Sequence, residues 1–328
     1  MKKIVIAVCA LLVAGIGFAY FYLMNNQGVE TGPQDKGAQT QPQNQNNAPK
    51  SETPVATTSA PESDQPAESE PTAVPDNKTE TIIGKSAGGR DIVAYHLGNL
   101  GGGDTEVLLI GGIHGGYSWN TSLLAYQLMG NYRAAYGAIP PGGKLTVIPV
   151  LNPDGLAKVV SVTGPFKASD VTGAADVRVA GRFNANNVDL NRNFDCNWKA
   201  AAVWQNKTVS GGTAAFSEPE AQAIKNYAQN KKIAAVIAWY SSGGGVYLSS
   251  CNGVILPATQ TLADTYAKAS GYTAYKNFES YQVSGDMTDW FSKNGVPAIG
   301  VLLTTAADTE YEKNEAGVWA VLNHYFTK

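Results

Sequence analysis

The chain has 328 residues, 44% hydrophobic and 16% charged, which allows one large domain or two ordinary ones. Its 24 basic and 27 acidic residues leave a net charge of -3. That balance excludes the electrostatic footprint of a nucleic-acid binder and any long acidic or basic interaction tail.

Lys2 and Lys3 precede an uncharged apolar run from Ile4 to Met24. A spanning helix needs about 20 such residues, and a secretory signal's apolar region only about 7–15. Tyr20, Phe21 and Tyr22 supply an interfacial aromatic belt near its end. Residues 1–24 are therefore expected to be a transmembrane anchor that leaves the rest of the chain outside the cytoplasm. The alternative is a long cleaved signal and a secreted protein. Cys9 falls inside the run, which leaves Cys196 and Cys251 as an even pair in an oxidising compartment, where a disulfide is expected.

Residues 25–78 are dominated by Gln, Asn, Pro, Ser, Thr, Ala and Glu. Such a segment buries too little apolar surface to offset its conformational entropy and is expected to be a disordered linker. From Thr79 onward the pattern alternates. "SAGGR" (Ser86–Arg90) supplies turn glycines between strands at Thr81–Ile83 and Ile92–His96. Buried strands are predicted at Glu106–Ile110, Leu145–Val150, Ile233–Tyr240 and Ala298–Leu303. Helices are predicted at about 120–136, after Ser217 as N-cap with Pro219 and Glu220 in the first turn, and at about 311–325. Continuous apolar strands between helices predict an α/β fold, a three-layer α/β/α domain with a mixed, largely parallel central sheet over 79–328. Ligands of such sheets sit beyond the carboxyl ends of the strands.

Those ends carry "GGIHGGYSWNT" after the Glu106–Ile110 strand and "LNPDG" after Leu145–Val150. "GRFNANNVDLNRNFDCNW" follows, then "YQVSGDMTDW" ahead of the Ala298–Leu303 strand. In this order the set resembles the zinc carboxypeptidases of the carboxypeptidase A type. That resemblance implies a catalytic zinc with three protein ligands and one water. It also implies a glutamate general base, and an Asn-Arg pair whose guanidinium fork holds a substrate's terminal carboxylate.

Carried onto this chain, the resemblance keeps one ligand, His114. The second ligand position falls on Ser118, or on Tyr117 at strict three-residue spacing, and no Asp or Glu occurs between His114 and Asp154. The third falls on Tyr240 and the general base on Leu302, with Leu303 the alternative. The binding half persists as Asn191 and Arg192, with Tyr281 as the cleft tyrosine, Thr288 beside a side-chain pocket expected to be neutral, and Arg178 or Arg182 as a second arginine.

The expectation is an extracytoplasmic carboxypeptidase homologue without hydrolytic activity and without bound zinc. Its partner would be a peptide C-terminus or a cell-wall stem peptide; no nucleic acid is expected. Two rivals stay open: a metallopeptidase rewired through carboxylates such as Asp154 or Asp286, and a scaffold whose cleft is filled by Tyr240 and the leucines.

Overall fold

The computed structural model describes residues 79–100, 105–135 and 138–327. The anchor expected at 1–24 and the linker expected at 25–78 lie outside the described residues. Among the described residues no helix is long and apolar enough to cross a membrane.

The predicted hairpin is β1 (Glu80–Lys85) and β2 (Asp91–Gly98), paired antiparallel. Its turn closes where the Ser86 N–H donates to the Arg90 carbonyl at 2.7 Å. Gly89 takes φ +83° there, a conformation that costs little only without a Cβ. The strands β3 (Thr105–Ile110) and β4 (Lys144–Ile148) follow. A small separate hairpin, β5 (Ala201–Trp204) and β6 (Lys207–Ser210), comes next. Then come β7 (Lys232–Ser241), β8 (Gly245–Leu248), β9 (Ala274–Tyr275) and β10 (Ala298–Leu303). The main sheet has the order β1-β2-β4-β3-β7-β10-β8-β9. Its centre, β4-β3-β7-β10, is parallel, and antiparallel β2 and β8 flank it.

Helices α1 (Trp119–Ala134), α2 (Pro219–Gln229), α3 (Pro257–Ser270), α4 (Met287–Lys293) and α5 (Tyr311–Phe326) cover the two faces. On one face Leu124 and Leu128 of α1, Leu262 and Tyr266 of α3 and Val318 and Leu322 of α5 pack on Leu109, Ile237, Trp239, Val301 and Leu303. On the other, Ile224 and Tyr227 of α2 and Trp290 and Phe291 of α4 pack on Leu108, Ile110, Val236, Ala238 and Tyr240. Successive side chains of a strand point to opposite faces, so central strands buried on both sides must be apolar throughout. Each buried aliphatic side chain contributes roughly 1.5–3 kcal/mol.

The helix expected to start at Ser217 starts one residue later. Pro219 occupies the first turn and holds Glu218 in extended backbone (φ -89°, ψ 136°), so Glu218 is the cap residue. The Ser217 hydroxyl donates to Glu218 instead of capping.

Candidate functional site

An open cleft of about 840 Å³ lies beyond the carboxyl ends of β3, β7 and β10. His114, Tyr117, Arg182, Arg192, Tyr240 and Leu302 are among its lining residues.

His114 follows β3 in a loop shaped by backbone contact. Gly115, at φ +42°, leaves no room for a side chain: a Cβ there would sit 2.7 Å from the Gly181 carbonyl oxygen and 2.8 Å from Gly155. The glycines of "GGIHGG" and "NPDG" thus let three loops meet at main-chain distance. The imidazole is 6% exposed, and neither ring nitrogen has a hydrogen-bond partner. Asp189 Oδ1 lies 3.7 Å from its Nε2, too far for a hydrogen bond. Burial first, and the Arg182 charge next, hold the His114 pKa well below its ordinary 6.5, so the ring is neutral.

Asp189 was not singled out from the sequence, yet it organises the site. It is fully buried, and Arg182 grips its Oδ2 through Nε at 2.9 Å and Nη2 at 2.8 Å. Burial raises its pKa, but the charges of Arg182 and Arg192 and the Arg182 hydrogen bond outweigh this and leave the carboxyl below the usual range. Arg182 also lies over the Trp204 ring, 4.5 Å from its centroid, and over Tyr117 at 5.6 Å. Of the two candidate second arginines, Arg182 lines the cleft, while Arg178 is exposed on the short helix Ala175–Ala180.

For the second ligand position, Tyr117 and Ser118 part company. Tyr117 faces the cleft, edge-on to Trp204 at 5.0 Å. Ser118 is 1% exposed and its hydroxyl donates to the Ser241 carbonyl at 3.3 Å. Trp119 packs in a separate cluster with Leu156 and Phe166.

Tyr240 and Leu302 both line the cleft, and Leu303 is buried in the opposite face. The Tyr240 ring packs 3.2 Å from where a Gly300 Cβ would stand, and its centroid is 5.6 Å from that of His114. Among the described residues its hydroxyl is buried without a hydrogen-bond partner; Thr288 lies beside it but outside hydrogen-bond geometry. Burial first, then the carboxylates of Asp286 and Asp289, raise its pKa well above 10, so it is a neutral phenol.

The residues of the binding half come together. Asn191 is buried, donates to Asp286 Oδ2 at 2.7 Å and accepts from the Met287 N–H at 3.1 Å. Arg192 spends Nε on the Val203 carbonyl at 3.0 Å and Nη1 on the Asn191 carbonyl at 2.7 Å. Among the described residues that leaves Nη2 without a hydrogen bond. Tyr281 covers the guanidinium, its ring centroid 5.9 Å away. The pocket beside Thr288 is not neutral as expected: Asp286 and Asp289 line it too. Asp286 caps α4 by accepting from the Thr288 and Asp289 N–H groups, and the first turn of that helix brings Asp289 to the same wall.

Cys196 and Cys251 are disulfide-bonded. The bridge ties the loop after Arg192 to the segment after β8, and neighbours of both cysteines, Asn197, Ser250 and Asn252, line the cleft.

The cleft is open, so the rival reading of one filled by Tyr240 and the leucines is corrected: Tyr240 and Leu302 form part of its wall, and Leu303 lies in the opposite face. Asp154 is not available to a rewired metal site. It accepts from Ser86, the Gly88 N–H and Arg90 at the turn of the β1–β2 hairpin. The zinc that the resemblance implies finds one imidazole here. Beside it stand a phenol that stays protonated, a serine turned to a carbonyl, a second tyrosine and a leucine. A catalytic zinc takes three histidine, carboxylate or thiolate donors, and this set does not match it.

A family model described as zinc carboxypeptidase matches residues 71–314. A gamma-D-glutamyl-L-diamino acid endopeptidase 1 of Lysinibacillus sphaericus is 28% identical over 156 residues, covering 45% of this chain and 38% of that protein. Among solved structures, the murein-tripeptide amidase MpaA of Escherichia coli O157 superposes with TM-score 0.53 at 17% identity, over 74% of this chain and 90% of that one. Carboxypeptidase A of Helicoverpa armigera gives TM-score 0.56 at 21% identity, over 76% of this chain and 67% of the other. With motif order, sheet topology and family model in agreement, the chain belongs to the zinc carboxypeptidase family.

Proposed function

We propose that this protein is a catalytically inactive member of its family that binds the C-terminus of a peptide, with cell-wall stem peptides the favoured class. The observation that carries this is the asymmetry of the cleft. Arg182, Arg192, Asn191 and Tyr281 stand together in it, while the positions for zinc and general base hold Tyr240 and Leu302. A leucine can neither take nor give a proton, and a neutral phenol is a poor metal ligand. Arg192 offers Nη2 to a ligand carboxylate in a charge-assisted hydrogen bond. The stem-peptide class draws on relatives named for murein tripeptide and for gamma-D-glutamyl-L-diamino acid substrates. In this reading residues 1–24 anchor the chain, residues 25–78 tether it, and the domain works outside the cytoplasmic membrane without a catalytic zinc.

Calorimetry with the full-length chain in mild detergent and short peptides tests it. Free-carboxylate peptides should bind, and both Arg192→Ala and amidation of the peptide C-terminus should weaken binding about tenfold or more. Affinity indifferent to both changes would discard the reading. Stoichiometric zinc after dialysis against a weak chelator, with peptide hydrolysis, would mark an active enzyme instead.

A further inference from the structure

Among the described residues six buried side-chain nitrogen and oxygen atoms have no hydrogen-bond partner. Three of them, both ring nitrogens of His114 and the Tyr240 hydroxyl, belong to two residues that line the cleft. These residues are 6% and 7% exposed, and their ring centroids stand 5.6 Å apart. Folded chains pair nearly all of their buried polar groups, so orphans gathered in one cleft mark a position shaped for an occupant.

Their chemistry narrows what the occupant is. A neutral imidazole presents one N–H donor and one acceptor, and a phenol presents one donor and an acceptor oxygen. The Asp189 carboxylate, 3.7 Å from Nε2, favours hydrogen on that nitrogen and leaves Nδ1 as the acceptor. A metal ion would find one imidazole, a protonated phenol and the apolar Leu302 on this wall. A neutral group with one donor and one acceptor is matched instead, and a peptide bond is such a group. A ligand held by its terminal carboxylate carries its last peptide bond one carbon further along. Burial dominates the electrostatics of His114 and Tyr240, and the Arg192 charge also acts on both, so all three groups stand within Coulomb range.

We propose that His114 and Tyr240 hold the last peptide bond of the bound ligand uncleaved, the Tyr240 hydroxyl donating to its carbonyl and His114 accepting its N–H. The two residues thus give the cleft a second recognition point, at the ligand backbone, where the resemblance expects a metal. This rests on the reading that Arg192 holds a terminal carboxylate. An ester at the same place lacks the N–H and turns an oxygen lone pair toward the imidazole acceptor, so the position discriminates amide from ester.

Calorimetry on the full-length chain in mild detergent compares Ala-Ala-Ala with Ala-Ala-lactate, whose last linkage is an ester, each with a free and an amidated C-terminus. The free tripeptide should bind about tenfold or more tightly than the free ester. His114→Leu should erase that preference while amidation still weakens both ligands; if this variant fails to fold, the wild-type comparison still decides. Tyr240→Phe removes a hydroxyl that has no internal partner, so it should melt at or above the wild-type temperature while binding the tripeptide about tenfold more weakly. A Tyr240→Phe variant that loses stability but keeps its affinity would overturn the inference by reducing the hydroxyl to a structural role. Equal affinity for tripeptide and ester, with amidation still harmful, would overturn it and leave the carboxylate site standing. Affinity unaffected by amidation, or no binding by any ligand, would overturn both.

Discussion

Leu302 on β10 stands in register with Tyr240 on the neighbouring parallel strand β7, and the two side chains share one wall of the cleft. The resemblance places a general base and a zinc ligand at these positions, so under the proposed reading both roles fall on adjacent strands. The scaffold around them is intact, and restoring the residues should restore the site. The triple variant Tyr117→Glu, Tyr240→His, Leu302→Glu is expected to retain zinc after dialysis and to hydrolyse peptides, measured by elemental analysis and peptide turnover. Replacing Tyr117→Glu with Ser118→Glu in that set should bind zinc at least about tenfold more weakly, since the Ser118 side chain turns to the Ser241 carbonyl. Equal zinc retention by the two triples would refute the placement of Tyr117 at the ligand position.

Arg182 and Asp189 form a fully buried pair, and breaking such a pair leaves a charge without compensation. Arg182→Ala should therefore destabilise the protein by about 3–5 kcal/mol in urea titrations. Part of that loss belongs to the Trp204 face, on which the guanidinium stacks. Arg182→Lys should recover a fraction of it, because lysine keeps the charge but not the planar fork. A loss below about 1 kcal/mol for Arg182→Ala would show that the pair is not what holds this loop.

Much of the fold is legible in the chain because its central strands are continuous apolar runs, and burial on both faces demands that pattern. β3, β7 and β10 follow the predicted runs closely, and α1 and α5 match theirs within two residues. The cleft is less legible. Which of Tyr117 and Ser118 faces the cleft depends on the backbone just before α1, which spacing does not record. Thr288 reads as the wall of a neutral pocket, but the cap of α4 turns Asp286 and Asp289 toward that pocket as well. Asp189, one residue before the "LNRN" string, could have been found by asking which acid compensates a buried arginine. β8 and β9 are too short to stand out by alternation.

The Cys196–Cys251 bridge closes a loop with a sequence separation of 55 residues. Chain-entropy reasoning assigns a loop of that length about 4 kcal/mol of stabilisation. The double variant Cys196→Ser, Cys251→Ser should thus lower the urea midpoint strongly. It should also weaken peptide binding, because the loops carrying Asn197 and Asn252 are no longer tied across the cleft. Unchanged affinity in a destabilised but folded variant would limit the bridge to stability alone.

Asp289 gives the protein a pH dependence of a distinctive sign. Its carboxyl is pushed up to about 8 in the folded state from an ordinary 3.8, first by burial and then by Asp286. The folded chain binds that proton more tightly than the unfolded chain does, so stability falls as pH rises through the interval between those values. Asp286 and Tyr240 are the titratable neighbours facing it, and Tyr240 stays protonated across the interval because its own pKa is raised well above 10. Asparagine cannot ionise and keeps the acceptor for the Ser250 N–H. Asp289→Asn should therefore be more stable than the wild-type protein by on the order of 1–2 kcal/mol at pH 9, with a smaller gain at pH 5 that disappears only as pH falls below the ordinary 3.8. Urea midpoints of the two proteins at both pH values provide the measurement. A constant difference between them would show that Asp289 ionises freely in the folded chain.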